Sequence, residues 1–290
     1  MKLRVLVFGA TGIGKTSLCN ELAGGSRPTD SGALGVTDKT HLYAPFKVGE
    51  TFLELVDTVG LHESAHGTVP ADRAAMALVE LLEKSREGFN LLIHVARASR
   101  ITKEHDDDYI FFVEKMAQNR IPVVLVVTGC ENEEPMSAWV DKNRAAFARF
   151  RYKALVPTCF AAGGPLENFY ASRRALSREA LLAAIQAHAT HESVLLFGPG
   201  TGSTFNDALT RIWNEFVTLA GLPDKYRRKV NESAYAMLKR LGVPKKVADA
   251  MVAHIPDLLE EVGTKIPVPG AGKVLKHVAR RVLDRLLKRA

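Results

Sequence analysis

Leu3-Arg4-Val5-Leu6-Val7-Phe8-Gly9-Ala10-Thr11-Gly12-Ile13-Gly14-Lys15-Thr16-Ser17 is a mostly apolar run that breaks into a glycine-rich turn. The spacing G-x-x-x-x-G-K-[ST] behind a strand is what a loop needs to wrap a polyphosphate tail with backbone N–H groups. Gly9, Gly12 and Gly14 permit close backbone approach and unusual φ, and Ala10, Thr11 and Ile13 complete the amide cradle. Lys15 brings positive charge to the outer phosphates, and Thr16 brings a hydroxyl to Mg²⁺. Ser17 to Leu22 then opens a helix whose N-terminus faces the anion.

The chain has 290 residues, 47% of them hydrophobic, which is enough for one large or two modest globular domains and excludes disorder as the default. Cys19, Cys130 and Cys159 are too scattered for a disulfide framework or a C-x-x-C pair, so a reducing, cytoplasmic setting is expected. The first strand starts right after Lys2, leaving no room for a secretory signal, and no apolar run reaches the ~18 residues of a membrane span. Net charge is +7, yet Gly272 to Ala290 alone holds seven basic residues against Asp284. With the excess in that tail, no nucleic-acid partner is expected.

Strand-like and helix-like stretches alternate through residues 1–190, predicting a three-layer α/β domain with a mainly parallel sheet. The expected strands are Leu3 to Phe8, a hairpin of His41 to Val48 with Thr51 to Val56, Leu91 to Ala96, Val123 to Val127 and, more weakly, Leu155 to Phe160. Helices are expected near Ala71 to Lys84, Asp106 to Gln118 and Ser137 to Arg149. Residues 191–290 form an appended helical region, with periodic segments separated by Gly, Pro and Asp signals. Val194 to Thr204 echoes Val5 to Thr16 but lacks the lysine and reads as an interdomain turn.

A triphosphate site also needs a strand-end carboxylate near the metal and an amide that senses the terminal phosphate. Asp57-Thr58-Val59-Gly60 supplies both: Asp57 acts on Mg²⁺ through a water, and Gly60 meets the γ-phosphate. Thr37 is the candidate for a second hydroxyl on the metal, with Thr40 as the alternative. The strand Val123 to Val127 runs into Thr128-Gly129-Cys130-Glu131, where Glu131 is placed to accept the N1–H and N2–H₂ donors of guanine. Thr158-Cys159-Phe160-Ala161-Ala162 is a weaker candidate for amides near the guanine O6.

In this order the motifs, covering roughly residues 1–165, resemble a P-loop GTPase of the translation-factor-related class. Gly35-Val36-Thr37 and Asp57-Thr-Val-Gly-Leu61 are similar to the septin-like branch, which includes GIMAP-type and chloroplast import receptor GTPases. Asn90 to Val95, Val124 to Glu131 and Trp139 also resemble G-domain proteins common in fungi. The resemblance implies GTP and GDP as ligands, Mg²⁺ as cofactor, and catalytic parts in Lys15, Thr37 and Gly60. Two departures bear on mechanism. Gly129 and Glu131 stand where the family carries lysine and aspartate, so the aliphatic stem that packs on the base is missing. Leu61 stands where many relatives carry a water-positioning glutamine, which implies slow hydrolysis and pairing of G domains into a homodimer. His62, Arg97 and Arg100 are candidate helpers there, though each reads more readily as a solvated or structural residue.

His62-Glu63-Ser64-Ala65-His66 matches the zinc-protease string H-E-x-x-H, but its glycine and proline flanks make it a loop near the γ-phosphate. Asp106-Asp107-Asp108 reads as a helix N-terminus. Leu275, Val278, Val282 and Leu286 stripe a basic tail helix, which either packs on its own domain or lies peripherally on an anionic membrane surface. The expected activity is therefore a slowly hydrolysing GTP switch. A nucleotide-stabilised scaffold or membrane-docking protein is the alternative, and a P-loop ATPase the third reading.

Overall fold

The computed structural model describes residues 1–25, 40–58, 80–160, 168–204 and positions 207, 208, 211, 212 and 215. Its strands are β1 (Lys2–Phe8), β2 (His41–Leu42), β3 (Phe46–Val48), β4 (Thr51–Asp57), β5 (Leu91–Arg97), β6 (Val123–Thr128) and β7 (Tyr152–Pro157). Its helices are α1 (Lys15–Ala23), α2 (Lys103–Tyr109), α3 (Ala138–Asn143) and α4 (Ala171–His188). A π-helical turn, Ile110–Met116, continues α2, and a 3₁₀ turn, Arg144–Phe147, continues α3.

The sheet runs β2-β4-β1-β5-β6-β7, with β3 also on β4. β1 is parallel to β4 and β5, and β5-β6-β7 continue parallel. β2 and β3 are antiparallel to β4. β1, β5 and β6 lie inside the sheet, and their Leu-, Val- and Ile-rich runs, interrupted by Arg4 in β1 and His94 in β5, suit strands covered on both faces. On one face Val5, Val7, Leu55, Ile93 and Val126 pack with Leu18 and Leu22 of α1 and Leu181 and Ile185 of α4. On the other, Phe8 lies tilted against Phe112 with ring centroids 4.5 Å apart, and Leu125 and Val127 pack with Val140 and Phe147. These are the three layers expected from the alternating pattern.

The chain divides into two compact units, Met1–Leu61 with Lys84–Leu196, and His62–Glu83 with Phe197–Ala290. The sheet and the glycine-rich loop belong to the first. Among the described residues no helix is long and apolar enough to cross a membrane. The tail helix, the H-E-x-x-H string and the Ala71 to Glu80 part of a predicted helix lie outside the described residues, apart from Glu80 itself.

Several expected boundaries move. His41 to Val48 splits into β2 and β3 around Tyr43-Ala44-Pro45, since Pro45 has no N–H for a ladder. The last strand is Tyr152–Pro157, not Leu155 to Phe160; as the sheet's edge it is only half buried and carries a weak apolar signal. The helix expected from Asp106 begins at Lys103 and changes to π geometry at Ile110, then closes through left-handed Gln118 and Asn119. Helix α4 has no counterpart among the expected helices, because its Ala- and Arg-rich sequence buries only Ser177, Leu181 and Ile185.

The Val194–Thr204 echo is a turn. Val194 bridges Phe89, and Gly198 bridges Ser203. Thr204 and Asp207 then hydrogen-bond reciprocally: Asp207 accepts the Thr204 N–H at 2.7 Å, and Thr204 Oγ1 accepts the Asp207 N–H at 3.1 Å.

A buried histidine pair sits on the α2 face. The His94 ring lies 4.5 Å from Phe8 and 4.2 Å from His105, with His94 Nδ1 2.7 Å from the Tyr152 hydroxyl. That hydroxyl is also 3.0 Å from His105 Nε2, and its single proton can serve only one ring, so the other ring donates. Burial holds His94 well below the usual imidazole range, aided by His105 and Lys15. Burial likewise lowers His105 to about 4, with Asp106 opposing and Arg149 assisting. Both rings are neutral in the fold, whereas unfolded histidine protonates near pH 6.5, so stability is full above ~6.5 and is lost as pH falls toward 4. His105 alone is expected to remove about 1.4 kcal/mol per pH unit within that window, and His94 acts in the same direction. Denaturant unfolding at pH 7, 5.5 and 4.5 tests it. His105→Phe should flatten the slope, and an unchanged slope would rule out the pair as its cause.

Candidate functional site

The loop after β1 is built by position. Gly9 has φ +141°, and a Cβ there would lie 2.5 Å from the Val95 carbonyl oxygen and 2.7 Å from Ile13 Cδ1, so no side chain fits without moving β5 or the loop. Gly14, at φ +101°, is the N-cap of α1 and offers no capping side chain to the first turn of the helix, whose N-terminal end opens onto the glycine loop. Lys15 is nearly buried, and its Nζ donates to the carbonyls of Gly9 at 2.8 Å and Ala10 at 2.7 Å. Its ammonium therefore spans the mouth of the loop formed by Gly9, Ala10, Thr11, Gly12, Ile13 and Gly14.

Asp57 reaches the same place from β4. Its partner in register on β1 is Val7, two residues before Gly9, and Thr58 follows by donating its N–H and Oγ1 to the Val7 carbonyl at 3.1 and 3.0 Å. Thr16 Oγ1 donates to Asp57 Oδ2 at 2.8 Å. A hydroxyl and a fully buried carboxylate in contact beside a phosphate cradle are hard-oxygen donors, the chemistry that Mg²⁺ takes. Thr37 and Gly60 lie outside the described residues.

Thr128 closes the loop from the other side. Its Oγ1 donates to the carbonyl of Ile13 at 2.6 Å, and it also lies 3.2 Å from the Ala96 carbonyl oxygen. This hydroxyl ties the β6 end to the glycine loop, a role its place in Thr128-Gly129-Cys130-Glu131 does not announce. Cys130 is buried, which raises its thiol to about 11 and leaves it without thiolate character. Glu131 is half-buried in the turn that follows, where the Glu133 N–H donates to the Cys130 carbonyl at 3.2 Å. Helix α4 braces that turn: Tyr170 Oη donates to Asn132 at 3.0 Å and Arg173 Nη1 to the Glu133 carbonyl at 2.6 Å. Neither contact has a sequence signal.

The weaker base motif fares differently. The Cys159 N–H donates to Ser177 Oγ of α4 at 2.8 Å, so that amide is already engaged, and Ala161 and Ala162 lie outside the described residues. Arg97, named above as a hydrolysis helper, stands at the β5 end beside Thr128, with β1 between it and β4.

Residues 4–129 match the family described as 50S ribosome-binding GTPase, a span that includes the glycine loop, Asp57 and Thr128 but stops short of Glu131. No curated protein matches the sequence. Among solved structures, the chain is similar to Era in complex with MgGDPNP and nucleotides 1506–1542 of 16S ribosomal RNA, at 16% identity over 75% of this chain and 67% of that one, TM-score 0.48. It is similar to the chloroplast translocon components atToc33 and psToc159 at 22% identity over 68% and 86%, TM-score 0.46. It is also similar to the FeoB G-domain of Methanococcus jannaschii at 13% identity over 64% and 98%, TM-score 0.36. The sheet order, the glycine loop and the family match together identify the fold as that of a P-loop GTPase G domain.

Proposed function

We propose that this chain binds GTP and hydrolyses it slowly, acting as a nucleotide-dependent switch of the septin-like branch. The observation that carries the reading is the 2.8 Å contact of Thr16 with Asp57 at the mouth of a loop spanned by Lys15. Lys15 and the Gly9 to Gly14 amides hold the phosphates, Ser17 adds an amide of the first helical turn, Gly60 reads the γ-phosphate, and Thr128 with Glu131 forms the guanine end. Mg²⁺, when bound, neutralises charge on the β- and γ-phosphates. Thr16, Thr37 and, through a water, Asp57 are the residues that would hold it.

Leu61 offers no hydrogen bond to an attacking water, so turnover is slow unless a second copy or a partner supplies one. We assign that role to a homodimer formed through the G domain, and a cytoplasmic setting to the protein. The basic stripe of 273–288 gives it a route to an anionic membrane surface, while a G domain carrying little of the net charge supports no nucleic-acid partner. Single-turnover hydrolysis that fails to rise with protein concentration would favour a non-catalytic scaffold over this switch.

Isothermal titration in Mg²⁺ is the direct test. GTP and GDP are expected to bind at least about tenfold more tightly than ATP, and Glu131→Ala to erase the preference, since one hydrogen-bonded carboxylate is worth roughly 1.5–3 kcal/mol. Equal affinity for ATP would replace the guanine assignment by a P-loop ATPase.

A further inference from the structure

We propose that Arg97 is the residue that stacks on the base of the bound nucleotide, an inference that rests on the GTP-binding reading above. The ends of β5 and β6 are joined in register at Arg97 and Thr128, and the Ala98 N–H donates to the Thr128 carbonyl at 2.7 Å. Immediately beyond, Gly129 turns at φ +80°. A Cβ at Gly129 would lie 3.2 Å from Arg97 Cγ and 3.5 Å from Arg97 Nε. The stem and guanidinium of Arg97 thus cover the face of Gly129 that a larger residue would fill.

Glu131 is two residues on. A guanine that gives its N1–H and N2–H₂ edge to this carboxylate lies over the 129–131 turn, and its flat face needs a partner. Gly129 has no side chain to offer. The nearest group is the Arg97 guanidinium, which is planar, permanently charged and weakly hydrated, and therefore suited to lie against a purine. Arg97 is exposed, and among the described residues its guanidinium makes no ion pair or hydrogen bond that would hold it elsewhere. Glycine at 129 and arginine at 97 are in this light one exchange: the cover for the base comes from the neighbouring strand. Arg97 is then a base-contact residue, not a helper at the γ-phosphate.

The full-length chain separates the two levels of the argument by calorimetry with GDP, GTP and inorganic tripolyphosphate, each with Mg²⁺. Arg97→Ala is expected to weaken GDP and GTP by about tenfold or more while leaving tripolyphosphate unchanged. Arg97→Lys should restore only part of the loss, because an ammonium has the charge without the plane. Arg97→Gln, which keeps the stem and a flat amide, should fall between them, and it stands in if the alanine variant melts early. Three results would overturn the proposal while the GTP-binding reading stands: wild-type GDP affinity in Arg97→Ala, an equal loss for tripolyphosphate, or full recovery in Arg97→Lys. Failure of the wild-type protein to bind GDP or GTP would remove both.

Discussion

Lys15→Ala is expected to weaken GTP and GDP binding by about a hundredfold, with little change in the melting temperature of the ligand-free protein. The Lys15 ammonium is nearly buried and donates to the Gly9 and Ala10 carbonyls, so it sits where phosphate oxygens would replace those carbonyls. A charge-assisted contact of this kind is worth roughly 1.5–3 kcal/mol, and the ammonium serves more than one oxygen. Without ligand, its removal frees two carbonyls at a loop that water enters, while also removing the cost of burying a charge, and these effects oppose each other. The loop keeps its other ties, since Thr128 still holds the Ile13 carbonyl at 2.6 Å and Gly14 still caps α1. Gly9→Ala is the contrasting variant. Its Cβ, 2.5 Å from the Val95 carbonyl oxygen, forces the loop or β5 to move, so binding and stability fall together. Unimpaired nucleotide binding in Lys15→Ala would overturn the site itself.

What the sequence discloses depends on whether a feature is local and periodic. β1, β5 and β6 are legible because a strand buried on both faces is apolar along most of its length, and the glycine loop is legible because its φ values require glycine at fixed offsets. Asp57 is legible as a carboxylate at a strand end, although its contact with Thr16 depends on the β1–β4 register. By contrast, β7 is an edge strand and α4 shows the core only a narrow stripe, so neither repeats a strong pattern. The His94, Tyr152 and His105 cluster joins positions from β5, β7 and α2. The approach of Arg97 to Gly129 requires both the β5–β6 pairing and a left-handed glycine, which no spacing rule encodes. Arg4 and Glu54 are a related case. Each lies inside a run that reads as apolar, and only register reveals that they face each other.

Glu54→Gln is expected to cost about 3–5 kcal/mol of stability while nucleotide affinity stays within roughly threefold of wild type. Arg4 on β1 and Glu54 on β4 are register partners, both almost wholly buried, and Arg4 Nε donates to the Glu54 carboxylate. The rest of the guanidinium is spent on the chain leading into β5: Nη2 donates to the Lys84 carbonyl at 2.8 Å and Nη1 to the Gly88 carbonyl at 3.1 Å, over the ring of Phe89. Asn90 Oδ1 accepts the Arg4 backbone N–H at 2.8 Å. One cation thus fixes three strands at their starting ends. Neutralising Glu54 leaves that buried cation only the exposed Glu87 carboxylate, 3.9 Å from its Nε, as counter-charge, and such a loss exceeds the modest worth of an intact pair, because desolvation is no longer well offset. The exposed Lys47–Glu50 contact at 4.0 Å is the internal control, and Glu50→Gln should leave stability almost unchanged. Arg4→Met combined with Glu54→Leu should recover much of the loss, since an apolar pair of similar volume has no charge to bury. Denaturant unfolding of the single and double variants measures the coupling directly. A cost below about 1 kcal/mol for Glu54→Gln would show that water reaches Arg4. The nucleotide affinity should hold because Arg4 lies near the start of β1, whereas the phosphate loop follows Phe8 at its end.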